Sequence, residues 1–193
     1  MADDATQTAA DDSNRQNKRA SYTRIHHTTD DLAGFLAALQ GVDTADGPPP
    51  GKHNWFRGGT LGTYDQTVQN ALRALEGHID IDLAREIWAA ALDARWDGVA
   101  KWFHGDVAAG NLLLIAGELA AVIDFGTCGV GDPSCDLAVA WTLLTANGRQ
   151  AFRDLLSVDE SAWARGRGWA LWKTLASCAT RLSAPRQTSN PDR

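Results

Sequence analysis

The sequence predicts an α+β fold that is mainly helical and contains one small β-hairpin. Apolar residues recur at helical spacing from 29 to 96 and again from 136 to 177. Between 99 and 123 the spacing changes to that of short strands. Polar side chains follow these strands closely. This placement favours a functional site, because rigid strands hold the loops between them in place.

Three helices are predicted ahead of the strands. Thr29 is a candidate N-cap for the first helix, and Gly41 ends it. After a loop over 42–61, the second helix covers roughly 64–75 and the third 82–96. The residues expected to face the core are Leu32, Phe35, Leu36 and Leu39 in the first helix, Tyr64, Val68, Leu72 and Leu75 in the second, and Leu83, Ile87 and Ala91 in the third.

The predicted strands are short and lie close together in the sequence. Val99–Phe103 is the first, and Leu112–Ile115 and Leu119–Ile123 form a hairpin across Ala116-Gly117-Glu118. Helical spacing returns after Pro133. The helices predicted there cover 136–146, 149–156 and 161–177.

The last predicted helix is rich in tryptophan and arginine. Trp163, Trp169 and Trp172 recur at helical spacing, and we interpret them as core residues rather than as a surface for stacking substrate. Arg165 and Arg167 are interpreted as part of a solvated face. A phosphate or partner contact is the alternative for these two arginines.

Length and composition favour a single folded domain. The chain has 193 residues, of which 44% are hydrophobic, enough for a core. We expect a disordered leader over 1–28, a folded lobe over 29–180 and a frayed tail over 181–193. The net charge of −6, without a basic stripe, argues against a nucleic-acid partner or an anionic membrane surface.

The cysteines and the N-terminus indicate a reducing compartment. Cys128, Cys135 and Cys178 are odd in number and form no C-x-x-C pair, so neither a disulfide framework nor a zinc site is expected. They are predicted to be buried or half-buried thiols. No apolar window approaches the length of a membrane span, and the start of the chain lacks the apolar segment of a signal peptide, which predicts a cytoplasmic location.

The segment that follows the first strand has the spacing of a phosphoryl-transfer site. His104-Gly105-Asp106 is followed by Asn111 five residues after the aspartate, and then by Asp124-Phe125-Gly126. Protein kinases use the layout H-R-D-x-x-x-x-N followed by D-F-G. Asp106 is the candidate base for an acceptor hydroxyl, and Asn111 and Asp124 are candidate Mg²⁺ ligands through hard oxygen atoms. The combination is far more specific than any one aspartate in a turn.

Other residues are expected to support this site structurally. His104 is predicted to fix the loop through hydrogen bonds. Gly126 is predicted to let the backbone turn sharply after Asp124. Asp136 follows the Gly131-Asp132-Pro133 turn, and it either caps the helix that begins there or accepts backbone N–H groups from the catalytic loop.

These motifs together resemble the aminoglycoside phosphotransferase family, which shares the protein-kinase-like fold with choline kinases. The resemblance is strongest over 100–145 and includes Gly131-Asp132-Pro133 and Asp136-Leu137-Ala138. It implies that Asp106 is the catalytic base and that Asn111 and Asp124 hold Mg²⁺. It also implies ATP, or sometimes GTP, as phosphate donor. The implied acceptor is a small-molecule hydroxyl, often on an aminoglycoside, whose inactivation confers antibiotic resistance.

The chain departs from the family pattern ahead of the motifs. Family members carry an N-terminal lobe whose strands hold a phosphate-covering loop and a lysine. The lysines here are Lys18, Lys52, Lys101 and Lys173, and none falls in a plausible strand of such a lobe. The sequence therefore resembles the C-terminal, mainly helical lobe of the kinase-like fold, with the N-terminal lobe apparently missing. This arrangement predicts a reduced rate and self-association through uncovered apolar surface.

Two alternatives to an active phosphotransferase stay open at this point. The first is a truncated, non-catalytic kinase-like fragment that binds nucleotide weakly or binds a partner. The second is a regulatory module that reuses the scaffold. The acceptor contacts are expected in variable helices and loops, around 54–65 and 160–172.

Overall fold

The structure is a computed structural model that describes residues 29–183. The predicted leader, 1–28, and positions 184–193 of the predicted tail lie outside the described residues. The helices of the described part are α1 (29–40), α2 (Asp65–Ala74), α3 (Ile81–Asp93), α4 (Val139–Thr142), α5 (Ala146–Leu155) and α6 (Glu160–Ser183). Its strands are β1 (Lys101–Phe103), β2 (Leu112–Ile115), β3 (Glu118–Val122) and β4 (Gly129–Gly131). Helix α6 thus continues three residues beyond position 180, where the sequence analysis ended the lobe.

The described strands pair into two antiparallel ribbons. β2 and β3 form the predicted hairpin, with Leu112 opposite Val122 and a register irregularity between Leu113 and Leu114. β1 pairs with β4, which places Phe103 opposite Gly129. Strand β4 is not predicted from the sequence, because its residues are Gly-Val-Gly and glycine gives no strand signal. This pairing brings the segment after Asp124-Phe125-Gly126 against the strand that leads into His104.

Long helix α6 packs on both parts of the core within the described chain. One apolar cluster joins α2, α3, β1 and α6, and its largest buried side chains include Phe103, Trp88 and Trp169. The other cluster joins α1, α4 and α5 around Leu36 and Phe152. Burying a large apolar side chain contributes roughly 1.5–3 kcal/mol. The loop over 104–111 leaves β1 between these clusters, because Phe103 before it belongs to the first and Val107 within it belongs to the second.

The helices match the predicted ones with two corrections. In α3 the predicted Ala91 is buried, but Ala84 and Trp88 are buried in place of Leu83, which is 47% exposed, and Ile87, which is half-buried. The predicted helix over 136–146 is a 3-10 segment, Pro133–Ala138, followed by the single short α4. The helix predicted over 149–156 is α5, which begins earlier, after Thr145, whose side chain accepts the N–H of Gly148 as an N-cap.

Arg165 does not lie on a solvated face of α6, contrary to the prediction. It is 8% exposed, whereas Arg167 is exposed as expected. The Arg165 Nε lies 2.7 Å from Asp132 Oδ2, and Nη1 donates to the carbonyl of Arg95 at 3.0 Å and to Ser161 Oγ at 2.9 Å. Arg165 therefore holds the turn before the 3-10 segment and the loop after α3 against α6.

The described chain tests the predictions about membrane spans and cysteines. No helix between 29 and 183 is long and apolar enough to cross a membrane. All three cysteines are unpaired: Cys135 is buried and Cys128 half-buried, but Cys178 is exposed, which corrects its predicted burial.

Candidate active site

Asp136 anchors the backbone of the loop over 104–111, which carries Asp106 and Asn111. Its Oδ2 accepts the N–H of His104 and its Oδ1 accepts the N–H of Gly105, both at 2.7 Å. Asp136 is 1% exposed, and burial raises the pKa of its carboxyl while the two N–H donors oppose that rise. Of the two roles that the sequence allows, the structure shows the second. The cap of the following 3-10 segment is Asp132, whose side chain accepts the N–H of Ser134.

The His104 ring joins the catalytic loop to the end of β3. Its Nδ1 accepts the N–H of Asp106 at 3.3 Å, so the ring proton lies on Nε2, which donates to the carbonyl of Ile123 at 3.0 Å. The ring also packs against Phe125, with centroids 4.6 Å apart. Asp124 follows Ile123 directly, so this buried histidine holds the candidate base and the candidate metal ligand in one assembly.

Gly105 occupies the place of the kinase arginine, for a steric reason. Its φ is +84°, a conformation that costs other residues energy. A Cβ there would lie 2.6 Å from the carbonyl oxygen of Thr127 and 3.1 Å from Arg57 Cβ. Both neighbours are tied to the loop: Thr127 Oγ1 donates to the His104 carbonyl and Arg57 Nε donates to the Gly105 carbonyl, each at 3.0 Å. Close packing at this point therefore requires glycine.

We expect Gly105→Ala to destabilise the fold by about 1–3 kcal/mol, through backbone strain and the clash with Thr127. Urea unfolding followed by circular dichroism measures this loss. Gly110→Ala, in the same loop, is the matched control, because a Cβ there meets nothing within 4 Å and its φ is not positive. Equal stability of the two variants would contradict the steric explanation.

Asp106 is a half-exposed carboxylate held by two donors. Its Oδ1 lies 2.8 Å from Lys173 Nζ, and its Oδ2 lies 3.3 Å from Asn111 Nδ2. Burial raises the pKa of Asp106, but the hydrogen bond and charge of Lys173, with the charge of Arg57, outweigh it and leave the pKa below its ordinary value. Asp106 is therefore ionised at neutral pH, as a base must be.

Asn111 is oriented by hydrogen bonds to Asp106. Its Nδ2 donates to the backbone carbonyl of Asp106 at 2.8 Å, in addition to the Oδ2 contact. Since the amide nitrogen is used in this way, Asn111 Oδ1 stays available as an acceptor. The N–H of Ile123 donates to the Asn111 carbonyl at 2.9 Å. This bond ties the loop to the strand end that carries Asp124.

Asp124 itself makes the sharp turn that the sequence analysis assigned to Gly126. Its φ and ψ are both 65°, a left-handed conformation that is sparsely populated by residues other than glycine. Gly126 is not left-handed. It provides space, because a Cβ there would lie 3.3 Å from Asp124 Oδ1. The Asp124 side chain is exposed, and no hydrogen bond or ion pair among the described residues engages its carboxylate.

The oxygen atoms of this site fit magnesium. Asn111 Oδ1 and the Asp124 carboxylate are hard donors without competing partners in the described part of the chain. Residues 29–183 contain no group of three His, Cys, Asp or Glu side chains that could enclose a metal. Mg²⁺ in phosphoryl-transfer sites takes one or two protein ligands and completes its shell with phosphate oxygens and water. Asn111 and Asp124 would provide two such protein ligands.

Two cations near Asp106, Lys173 and Arg57, are not predicted from the sequence. Lys173 was considered only as a lysine outside a predicted strand, and Arg57 lies in the predicted loop over 42–61. Arg57 stacks on Trp172, with its guanidinium carbon 4.5 Å from the ring centroid. Neither cation belongs to a local motif, so only their position in the folded chain reveals them.

Comparison with known proteins decides the family. The model of the phosphotransferase enzyme family, APH, matches residues 13–169. The chain belongs to this family. The matched residues of this APH-family chain include Asp106, Asn111 and Asp124.

Relatives of this APH-family chain include antibiotic-modifying enzymes. An aminoglycoside 3'-phosphotransferase of Escherichia coli is 34% identical over 74 residues, which are 34% of this chain and 27% of that protein. The streptomycin–ATP–APH(2'')-IIa ternary complex has a TM-score of 0.50 at 18% identity, over 83% of this chain and 58% of that one. Macrolide 2'-phosphotransferase type I gives 0.53 at 18% identity, over 82% and 60%.

These comparisons confirm the predicted resemblance and the kinase-like, mainly helical C-terminal lobe with its small hairpin. At 18% identity the two solved structures show the fold alone. The chain spans about a quarter of the E. coli relative and less than two thirds of each of the two structures.

Proposed function

We propose that this APH-family chain transfers the γ-phosphate of ATP to a hydroxyl of a small molecule, an aminoglycoside or a macrolide. One observation carries the proposal: Asp106 is an ionised carboxylate bonded to Lys173 and Asn111, beside the strand end that bears Asp124. Phosphoryl transfer depends mainly on positioning and on charge stabilisation, and these groups provide both.

Asp106 acts on the acceptor in this proposal. One carboxylate oxygen takes the proton of the acceptor hydroxyl, while the acceptor oxygen forms a bond to the γ-phosphorus. The bond from that phosphorus to the β–γ bridging oxygen breaks, and its electron pair leaves with ADP. Asn111 orients the carboxylate through its Nδ2, and Asp136 and His104 keep the loop in place.

Asn111 and Asp124 would hold Mg²⁺ in this scheme. When bound, the ion would neutralise charge on the nucleotide phosphates. The exposed Asp124 carboxylate supports this role, because no hydrogen bond or ion pair within residues 29–183 engages it and it is available to a metal ion.

The acceptor class is inferred from relatives and from charge. The E. coli relative is named for an aminoglycoside, one similar structure contains streptomycin with ATP, and another is a macrolide 2'-phosphotransferase. The net charge of −6 favours a cationic acceptor. Aminoglycosides and macrolides are therefore the first acceptors to test.

The experiment follows radiolabel from γ-labelled ATP into aminoglycosides, macrolides and simple amino alcohols, with magnesium present. The expected result is a labelled acceptor from at least one of the two antibiotic classes. Label that stays in ATP, or that appears only as inorganic phosphate, would reject the proposed function. Calorimetry that detects Mg·ATP binding without transfer would favour the non-catalytic alternative.

Metal removal should abolish the transfer. We expect EDTA to stop it, and Asn111→Ala to raise the magnesium concentration for half-maximal rate by about tenfold or more, because one protein ligand is lost. Magnesium titration of the initial rate measures the shift. Asn70→Ala, an exposed asparagine on α2, is the control and should not change the titration. Rates that are insensitive to EDTA would exclude the metal role of Asn111 and Asp124.

A further inference from the structure

Lys173 forms an ion pair with the candidate base from a distant part of the sequence. Its Nζ lies 2.8 Å from Asp106 Oδ1, although the two residues are 67 positions apart. The Lys173 side chain is 20% exposed and that of Asp106 is 42% exposed. An ammonium this close to the base affects how the carboxylate can be used.

The part of α6 that carries Lys173 is held firmly. Trp169, one turn before it, is completely buried, and Leu175, two residues after it, is 3% exposed. Trp172 stacks with Arg57, which itself donates to the carbonyl of Gly105 in the catalytic loop. Core packing and the catalytic loop thus fix the position from which the Lys173 side chain extends.

The two oxygens of Asp106 are used differently. Oδ1 accepts from Lys173 at 2.8 Å, whereas within residues 29–183 Oδ2 has only the longer contact of 3.3 Å with Asn111. The strong bond at Oδ1 limits rotation of the carboxylate and leaves Oδ2 as the oxygen with acceptor capacity to spare. A half-exposed aspartate without this partner would sample other rotamers.

We propose that Lys173 is a positioning residue for the transfer, which holds Asp106 so that Oδ2 is presented to the acceptor hydroxyl. This inference rests on the proposed function. Its physical basis is that a displacement of a catalytic group by about 1 Å can cost about a hundredfold in rate. A partly exposed ion pair adds little to stability, so removal of Lys173 should affect turnover rather than folding.

The test compares Lys173→Met with the wild-type chain, using the acceptor that the labelling experiment identifies. We expect kcat to fall by about 10–100-fold, with little change in KM for ATP and in the midpoint of thermal unfolding. Lys173→Arg should recover part of kcat, because a cation is restored at nearly the same length. Lys101→Met, an exposed lysine at the far end of β1, is the matched control and should match the wild type.

The double variant Asp106→Asn with Lys173→Met tests whether Lys173 acts on the rate through Asp106 or in some other way. In the Asp106→Asn background we expect Lys173→Met to cause no further loss, because the group that it positions is already gone. An unchanged kcat in Lys173→Met, a loss of the same size in the Asp106→Asn background, or a large drop in the unfolding midpoint shared by Lys173→Arg would each overturn the inference. These outcomes leave the proposed function intact. A wild-type chain that transfers no phosphate would reject the proposed function, and the inference with it.

Discussion

Replacement of Asp106 by asparagine is expected to lower kcat for phosphoryl transfer by about 10²–10⁴-fold. Asparagine has nearly the same size but cannot accept the hydroxyl proton, and it no longer pairs with the ammonium of Lys173 at 2.8 Å. The pKa of Asp106 is below its ordinary value, so the wild-type chain presents at neutral pH the carboxylate that the proposed base requires. Initial rates with the acceptor found by radiolabel transfer measure the loss.

Two controls define the meaning of that loss. Thermal unfolding of the Asp106→Asn variant should remain close to that of the wild type, because the side chain is 42% exposed and its backbone contacts are kept. Asp82→Asn removes an exposed carboxylate on α3, away from the site, and should leave kcat unchanged. Wild-type turnover by the Asp106→Asn variant would remove Asp106 from the mechanism.

Replacement of Arg165 by methionine is expected to destabilise the fold by about 3–5 kcal/mol. The methionine fills much of the space but leaves the carboxylate of Asp132, whose side chain is 4% exposed, buried without its cation. The bonds from Arg165 to the carbonyl of Arg95 and to Ser161 are lost as well. Urea unfolding measures the free energy, and a variant that does not fold at room temperature agrees with the prediction.

The matched control is the exposed ion pair of α3. Arg85 lies 3.5 Å from Asp82, with side chains 59% and 96% exposed, so Arg85→Met should change stability within the error of the measurement. The double variant Arg165→Met with Asp132→Asn should regain part of the loss, since no uncompensated charge is then buried. Equal losses in Arg165→Met and Arg85→Met would contradict the role assigned to burial.

Local patterns predicted those parts of the fold that depend on neighbouring residues. The faces of α1 and α2 were predicted because apolar residues recur at helical spacing, and Leu36 and Val68 are completely buried. The hairpin was predicted because two apolar runs flank a turn. Strand β4 was missed because Gly-Val-Gly becomes a strand only through its pairing with β1. On α3 the prediction of Ala91 is confirmed, but Leu83 and Ile87 were predicted in place of Ala84 and Trp88, because Trp88 is buried only by the packing of α6.

The amino-acid order alone determined the family and the identity of the candidate site, because the spacing of Asp106, Asn111 and Asp124 is a property of one continuous segment. Tertiary structure decided how those groups are held. Lys173 reaches Asp106 across 67 positions, Asp136 accepts two N–H groups of the catalytic loop, and Arg165 is buried on Asp132 instead of solvated. The physical reason is that a side chain's charge environment and its partners depend on which helices pack together. No local pattern on α6 predicts where the side chains of Lys173 and Arg165 lie in the folded chain.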